Sequence, residues 1–260
     1  MINRVMVLPD VQARKGVPTN HLLAAGNYMI KHKPDLVYCV GDFWDMPSLN
    51  RYATNLELEG SRIKGDLDAG KEAMMLFLKP LKDMQKKQKA NKKGVYKPRL
   101  IFTTGNHEPS VRIPRYIEQY PILGGILIDD STKWLESLGW EVYDYLDIAI
   151  IEGIRVSHYF QNPHSAVGSP LSGTVDTMLK NMGVSFICGH KQGLRMGKHY
   201  LSDGTMRIGI QCGSFYQHEE RFMGKQANNH WHGIIILNEV QDGSGDICEV
   251  SLNYLLKNYL

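Results

Sequence analysis

The stretch RLIFTTGNHE, residues 99–108, decides how this chain is read. Its first half is apolar without alternation, which suits a short strand covered on both faces. Its second half turns on Gly105 and delivers Asn106, His107 and Glu108 at the strand's carboxyl end. Asparagine oxygen and imidazole nitrogen are metal-ligating and proton-transferring groups. In parallel α/β sheets, the loops leaving the carboxyl ends of the strands gather in one crevice, where sites form.

The chain repeats this arrangement four times. RVMVLPD (4–10) ends in Asp10-Val11-Gln12, and DLVYCVGD (35–42) runs into Gly41-Asp42-Phe43-Trp44-Asp45. AIIEGIRVSHYF (149–160), read as one strand, reaches His158. VSFICGH (184–190) delivers Gly189-His190-Lys191-Gln192. Helical patterns at 19–33, 66–90 and 173–183 separate the strands, so the crossovers are right-handed and the sheet largely parallel. The last third differs. Residues 199–215 carry an Asp-Gly turn and residues 231–255 an Asp-Gly-Ser-Gly turn, each between strand-like runs, which predicts two hairpins. No linker or internal repeat divides residues 1–260.

Composition bounds the reading. The chain has 260 residues, of which 43% are hydrophobic, enough for one large domain. No stretch of about 18 apolar residues offers a membrane span. The N-terminus lacks a signal-peptide layout, and four scattered cysteines without a CxxC suit a reducing cytosol. A cytoplasmic protein is expected. Net charge is only +3, yet residues 79–99 hold nine Lys or Arg against Asp83 alone. That run is either a solvated helix end or a surface that draws in a polyanion.

Taken alone, an aspartate after a strand is usually a turn or cap residue. Five strand ends bearing Asp, Asn or His point instead to a shared site of oxygen and imidazole donors, suited to hard or borderline divalent metals. The order DVQ, GDFWD, GNHE, SHY and GHKQ resembles the calcineurin-like metallophosphoesterase family. That family's pattern is D-x-H, G-D-x-x-D, G-N-H-[DE], a strand-end His and G-H-x-H. Weaker similarity through NHWHG and the terminal NYL resembles phage-encoded members, and with it the host cytoplasm.

The resemblance implies an α/β/β/α sandwich of two packed mixed sheets flanked by helices, here a single domain with a basic helical insertion at about 50–98 and antiparallel C-terminal strands at about 195–255. It implies two divalent ions bridged by Asp42. Asn106, His158 and His190 would complete one site, and Asp10 with Gln12 and Gln192 the other. His107 would be the general acid and Asp45 its orienting partner. Gln12 and Gln192 stand where the family has His, and both fall in the same site. Glutamine Oε1 lies as many bonds from Cβ as histidine Nε2, so an oxygen replaces a nitrogen. Mn²⁺ is then expected, with Mg²⁺, Zn²⁺ or iron as other occupants, and the glutamine site is expected to be weaker.

The implied activity is metal-dependent phosphoester hydrolysis. Arg112, Arg115 and Lys191, close to the motifs, are candidate phosphate contacts. With the basic run they favour a phosphodiester in nucleic acid or nucleotides. A phosphomonoesterase is the alternative, and a catalytically dead metal-binding module a further one. His218, His230 and His232 show no ligand spacing with the motifs, His164 is read as a loop residue, and Trp44 as packing. The loop YQHEERF (216–222) is read as solvated. Oligomeric state is not legible.

Overall fold

The computed structural model describes residues 2–220 and 224–260; Arg221 and Phe222 of the YQHEERF loop lie outside them. Strands β1 (Val5–Leu8), β2 (Leu36–Cys39), β3 (Arg99–Thr103) and β4 (Trp140–Tyr143) lie parallel. They join β10 (Gly233–Gln241) and β11 (Ser244–Ser251), both paired antiparallel, in a sheet ordered β11-β10-β1-β2-β3-β4. A second sheet holds β5 (Ala149–Ile151), β6 (Ile154–Val156), β7 (Phe186–Cys188), β8 (Leu194–Tyr200) and β9 (Met206–Cys212), ordered β5-β6-β7-β9-β8. Within it β6, β7 and β9 are parallel.

The absence of polar alternation in VMVL and LVYC now has its reason. Successive side chains point to opposite faces, and both faces are covered. Val5, Val7, Leu36 and Tyr38 pack against Ile154, Val156, Ile187 and Ile210 of the second sheet. Met6, Leu8, Val37 and Cys39 face outward onto helices α1 (Asn20–His32), α3 (Ile63–Ala90) and α8 (Leu252–Tyr259). On the far side, Phe186 and Cys188 lie under α6 (Val175–Met182). The layers are therefore helix, sheet, sheet, helix, and the expected fold class is present. Short helices α2 (Asn55–Leu58), α4 (Pro109–Gln119), α5 (Ser131–Ser137) and α7 (Gly224–Ala227) complete the described chain. No helix among the described residues is long and apolar enough to cross a membrane.

Several expectations change in detail. AIIEGIRVSHYF is a hairpin, β5 to β6, turning through Glu152 and Gly153, both at positive φ (44° and 87°). Both C-terminal hairpins form, the first starting earlier than read, at Leu194, and they enter different sheets, β8–β9 the second and β10–β11 the first. The second hairpin ends earlier than read, because Ser251 accepts a bond from the Tyr254 amide at 3.2 Å and starts α8. Strand β4 and helices α4 and α5 were not anticipated.

The basic run is the main correction. Residues 79–99 close α3 and lead into β3, so they lie at the amino end of the sheet. Tyr96 in this run bonds the carbonyl of Pro34, just before β2, at 2.7 Å. The strand-end loops lie beyond Thr103, five residues of rise or about 17 Å away on the other edge. Adjacency in sequence to GNHE does not place these lysines in the crevice. The stretch expected as an insertion at 50–98 contains α3 itself, which packs Met74, Phe77 and Leu81 into the core as the crossover from β2 to β3.

Candidate active site

The loops after β1, β2, β3, β6 and β7 meet at one edge of the sandwich. Asp10, Asp42 and Asn106 come from the first sheet, His158 and His190 from the second. The turns are tight enough that Gln12, Asp42 and His190 adopt positive φ (46°, 48° and 67°), a conformation that non-glycine residues reach at a cost and that clusters at sites. Gly105 is required here: a Cβ would collide with the Asp42 carboxylate and backbone. Glu108 holds two of these loops together. Its carboxylate, 2% exposed, accepts from the amides of Asp42 (3.0 Å), Phe43 (2.6 Å) and Gly105 (2.8 Å). Burial and the neighbouring Asp42 charge raise its pKa to about 7. Nothing in the residue pattern announced this role for Glu108.

Asp42, His158 and His190 present ligand atoms all within 4.8 Å of one another. His158 is fully buried, and its Nδ1 lies 2.9 Å from the Val40 carbonyl. A carbonyl only accepts, so Nδ1 carries the proton and Nε2 is left for the cluster, as in many metal-bound histidines. That Nε2 sits 3.3 Å from Asp42 Oδ2 and 3.1 Å from Asn106 Oδ1. His190 Nδ1 lies 2.9 Å from the same Asn106 oxygen. Burial opposes charge on His158, but Asp42, Asp10 and Glu108 outweigh it and raise its pKa to about 10. The pocket thus has a strong demand for positive charge. Two nitrogens, a carboxylate and an amide oxygen fit a divalent ion.

The neighbouring position is built differently. Asp10 is fully buried, its Oδ1 accepts from the His190 amide at 3.3 Å, and its Oδ2 has no hydrogen-bond partner. Burial raises its pKa to about 8. An orphaned buried carboxylate oxygen fits a cation. Gln12 and Gln192 come together near it and bond each other: Gln192 Nε2 donates to Gln12 Oε1 at 3.2 Å. Tyr216 Oη donates to Gln192 Oε1 at 2.7 Å. Each amide oxygen keeps a second lone pair, so an oxygen-only site remains available.

His107 lies between the Asp42 carboxylate, which accepts from its amide at 2.8 Å, and Asp45, whose Oδ1 lies 3.1 Å from His107 Nδ1. Burial disfavours the imidazolium, but the Asp42 charge and the Asp45 hydrogen bond prevail and raise the pKa above its ordinary value. Asp45 is itself flanked by Arg14, with Nε 3.3 Å from Oδ2, and Arg14 also pairs with Glu220. Burial pushes the Asp45 pKa up, but His107 and Arg14 hold it below the usual value. Arg14 was missed in the sequence, although it lies two residues beyond Gln12. So was the ring of aromatic side chains behind the glutamines. There Tyr216 stacks on His218 at 4.2 Å, and Ser214 Oγ lies 2.9 Å from His230 and 3.1 Å from His232. These histidines reach the site's wall through Tyr216, which no ligand spacing reveals.

A cleft of about 470 Å³ opens over the site, lined by His107, Asp45, Gln12 and Gln192 with Arg14, Arg112 and Lys191. Arg112 and Lys191 thus line the cleft. Arg115 does not line this cleft; it lies on an adjoining hollow and stacks over Tyr145 at 5.3 Å. Trp44 is fully buried and donates to the Leu67 carbonyl at 3.3 Å, so it packs. His164 is exposed on its loop.

No protein-family model matches the sequence, and no curated protein matches it. Among solved structures the chain is similar to Pseudomonas putida nuclease MPE, with 13% identity, 95% of this chain and 87% of that one covered, and a TM-score of 0.36. It is similar to a dimetal phosphatase from Danio rerio, with 13% identity, coverage of 96% and 99%, and a TM-score of 0.35. It is also similar to the protein TT1561 of Thermus thermophilus, with 6% identity, coverage of 97% and 100%, and a TM-score of 0.39. Likeness this distant leaves the functional reading to the residues themselves.

Proposed function

We propose that the protein is a metal-dependent phosphoester hydrolase, a phosphodiesterase acting on nucleic acid or nucleotides. One observation carries this: a ligand cluster of buried Asp42 and His158 with half-buried Asn106 and His190 opens through Asp42 and His190 into the cleft lined by His107, a histidine held by a carboxylate. A purely structural metal would explain the cluster but not His107, which holds no part of the core.

Asp42, Asn106, His158 and His190 would hold one divalent ion, and Asp10 and Asp42 with the glutamine oxygens a second, weaker one. Bound ions would supply Lewis acidity and charge neutralisation at the phosphate. The chain's own groups do the rest. Arg112 and Lys191 line the cleft and bind the non-bridging oxygens of an anionic phosphate. Asp45 and Arg14 fix the His107 ring through Nδ1, leaving Nε2 to protonate the departing oxygen. The raised pKa of His107 keeps that proton available near neutral pH.

The test compares bis-p-nitrophenyl phosphate with p-nitrophenyl phosphate, using protein supplied with Mn²⁺. Faster turnover of the diester is expected. Turnover of the monoester alone would favour the phosphomonoesterase, and hydrolysis of neither would leave a metal-binding module.

A further inference from the structure

The hollow beside the catalytic cleft has about 160 Å³ of space and contains no carboxylate. It shares Asn50 and Arg112 with the main cleft and also reaches Asn106 of the ligand cluster. Three arginines converge on it: Arg51, Arg112 and Arg115. None forms an ion pair among the described residues. Arg51 contacts the Tyr52 ring and hydroxyl, Arg115 the Tyr145 ring and side-chain hydroxyl, and Arg112 the Leu49 carbonyl at 3.4 Å, with Asp45 and Asp42 of the main cleft acting on Arg112 through space. Arg51 and Arg115 have no carboxylate beside them in the hollow, and a guanidinium fork matches phosphate geometry. Tyr52, on the same wall, is 79% exposed, a large aromatic face left open to solvent. Such faces stack on bases without regard to sequence.

We propose that this hollow holds the phosphate next to the scissile one, with Tyr52 stacking on a base, so that the substrate is a polynucleotide strand rather than a mononucleotide. This rests on the phosphodiesterase reading and sharpens it. A monoester or a nucleoside monophosphate presents one phosphate, already met by the ligand cluster, Arg112 and Lys191. It leaves Arg51 and Arg115 without a partner. A strand supplies a second phosphate from the direction in which the hollow leads away from Asn106. Single strands suit the hollow because their bases are free to stack.

The test measures fluorescence anisotropy of fluorescein-labelled single-stranded DNA and RNA octamers with Ca²⁺ present, comparing wild type with the doubly substituted Arg51→Ala/Arg115→Ala protein. Both side chains are exposed, and a melting temperature equal to wild type verifies folding. The wild type is expected to bind at least one octamer more tightly than a labelled mononucleotide. The double variant is expected to lose at least tenfold in affinity, and its log affinity against log salt to flatten by about 0.7, the share of one phosphate on a single strand. The DNA and RNA arms show which backbone is preferred. An unchanged octamer affinity, an unchanged salt slope, or a mononucleotide bound as tightly as the octamers would overturn the proposal. Failure of the hydrolase reading would show separately, as absent bis-p-nitrophenyl phosphate hydrolysis in the wild type. In an active enzyme, kcat/KM for the octamer is expected to fall at least tenfold relative to that for the small diester.

Discussion

At the scale of single residues, the glutamine pair and Glu108 carry the sharpest consequences. Gln12 and Gln192 would offer only oxygen to the proposed second ion, and they are engaged with each other and with Tyr216. Metal counting by mass spectrometry after dialysis should therefore find about one ion per chain, rising toward two only with Mn²⁺ in excess. The double substitution Gln12→His and Gln192→His should hold the second ion through dialysis; an unchanged count would remove the role given to these glutamines. Glu108 has a different job. Glu108→Ala strands three buried amides, each costing about 1–3 kcal/mol when left unsatisfied. Chemical denaturation should show a loss of at least that size, and a variant as stable as wild type would deny the tie. His107→Ala should lower kcat by about 10²–10⁴. The loss should be smaller for a p-nitrophenolate leaving group, which departs without a proton, than for an alkoxide.

Residues adjacent to a strand end were legible because their chemistry and position coincide: Asp42, Asn106, His158 and His190 each follow a buried strand by two or three positions. Arg14, Glu108 and Tyr216 were not, because their roles depend on which loops the fold brings together. Tyr216 meets Gln192 from 24 residues away in sequence.

At the scale of elements, α3 shows how packing overrides propensity. Gly70 lies inside this 28-residue helix, where alanine would ordinarily gain about 0.5–1 kcal/mol. A Cβ there would strike the buried indole of Trp44. Gly70→Ala should thus destabilise the protein, by about 1–3 kcal/mol for an overpacked core; a higher melting temperature would contradict this. It would also press on the loop that carries Asp42 and Asp45. Helix α1 contributes a pH dependence. Burial lowers the pKa of His21 to about 3 from 6.5. Folded His21 stays neutral while the unfolded chain takes up a proton below about pH 6.5. Stability is therefore complete above that pH and falls as pH drops toward 3, by about 2 kcal/mol at pH 5. His232, lowered to about 4, acts with the same sign. The urea midpoint should fall between pH 7 and pH 5 in wild type, and fall less in His21→Leu.

At the scale of the whole molecule, two sheets bring their carboxyl ends to one edge, and the site is assembled across the sandwich rather than within one sheet. The hydrogen bond from His158 Nδ1 to Val40, across 118 residues, is that assembly in miniature. The sequence pattern revealed the strand ends but not the edge at which each charged stretch lies. The basic run 79–99 gained weight as a polyanion surface from its adjacency in sequence to GNHE, while topology sends it to the opposite edge. The charge that faces the cleft comes instead from Arg14 after β1, Arg112 of α4 and Lys191 after β7, with Arg51 and Arg115 on the adjoining hollow. Site assembly across both sheets also implies that a bound ion stabilises the whole fold by mass action. The melting temperature should rise with added Mn²⁺ and fall with EDTA.

The most direct measurement strips the protein with EDTA and follows bis-p-nitrophenyl phosphate hydrolysis as Mn²⁺ is returned, in wild type and in Asp42→Asn. The rate should begin near zero, rise to saturation in wild type, and stay at background in the variant. Hydrolysis that persists without metal, or that Asp42→Asn leaves intact, would contradict the account.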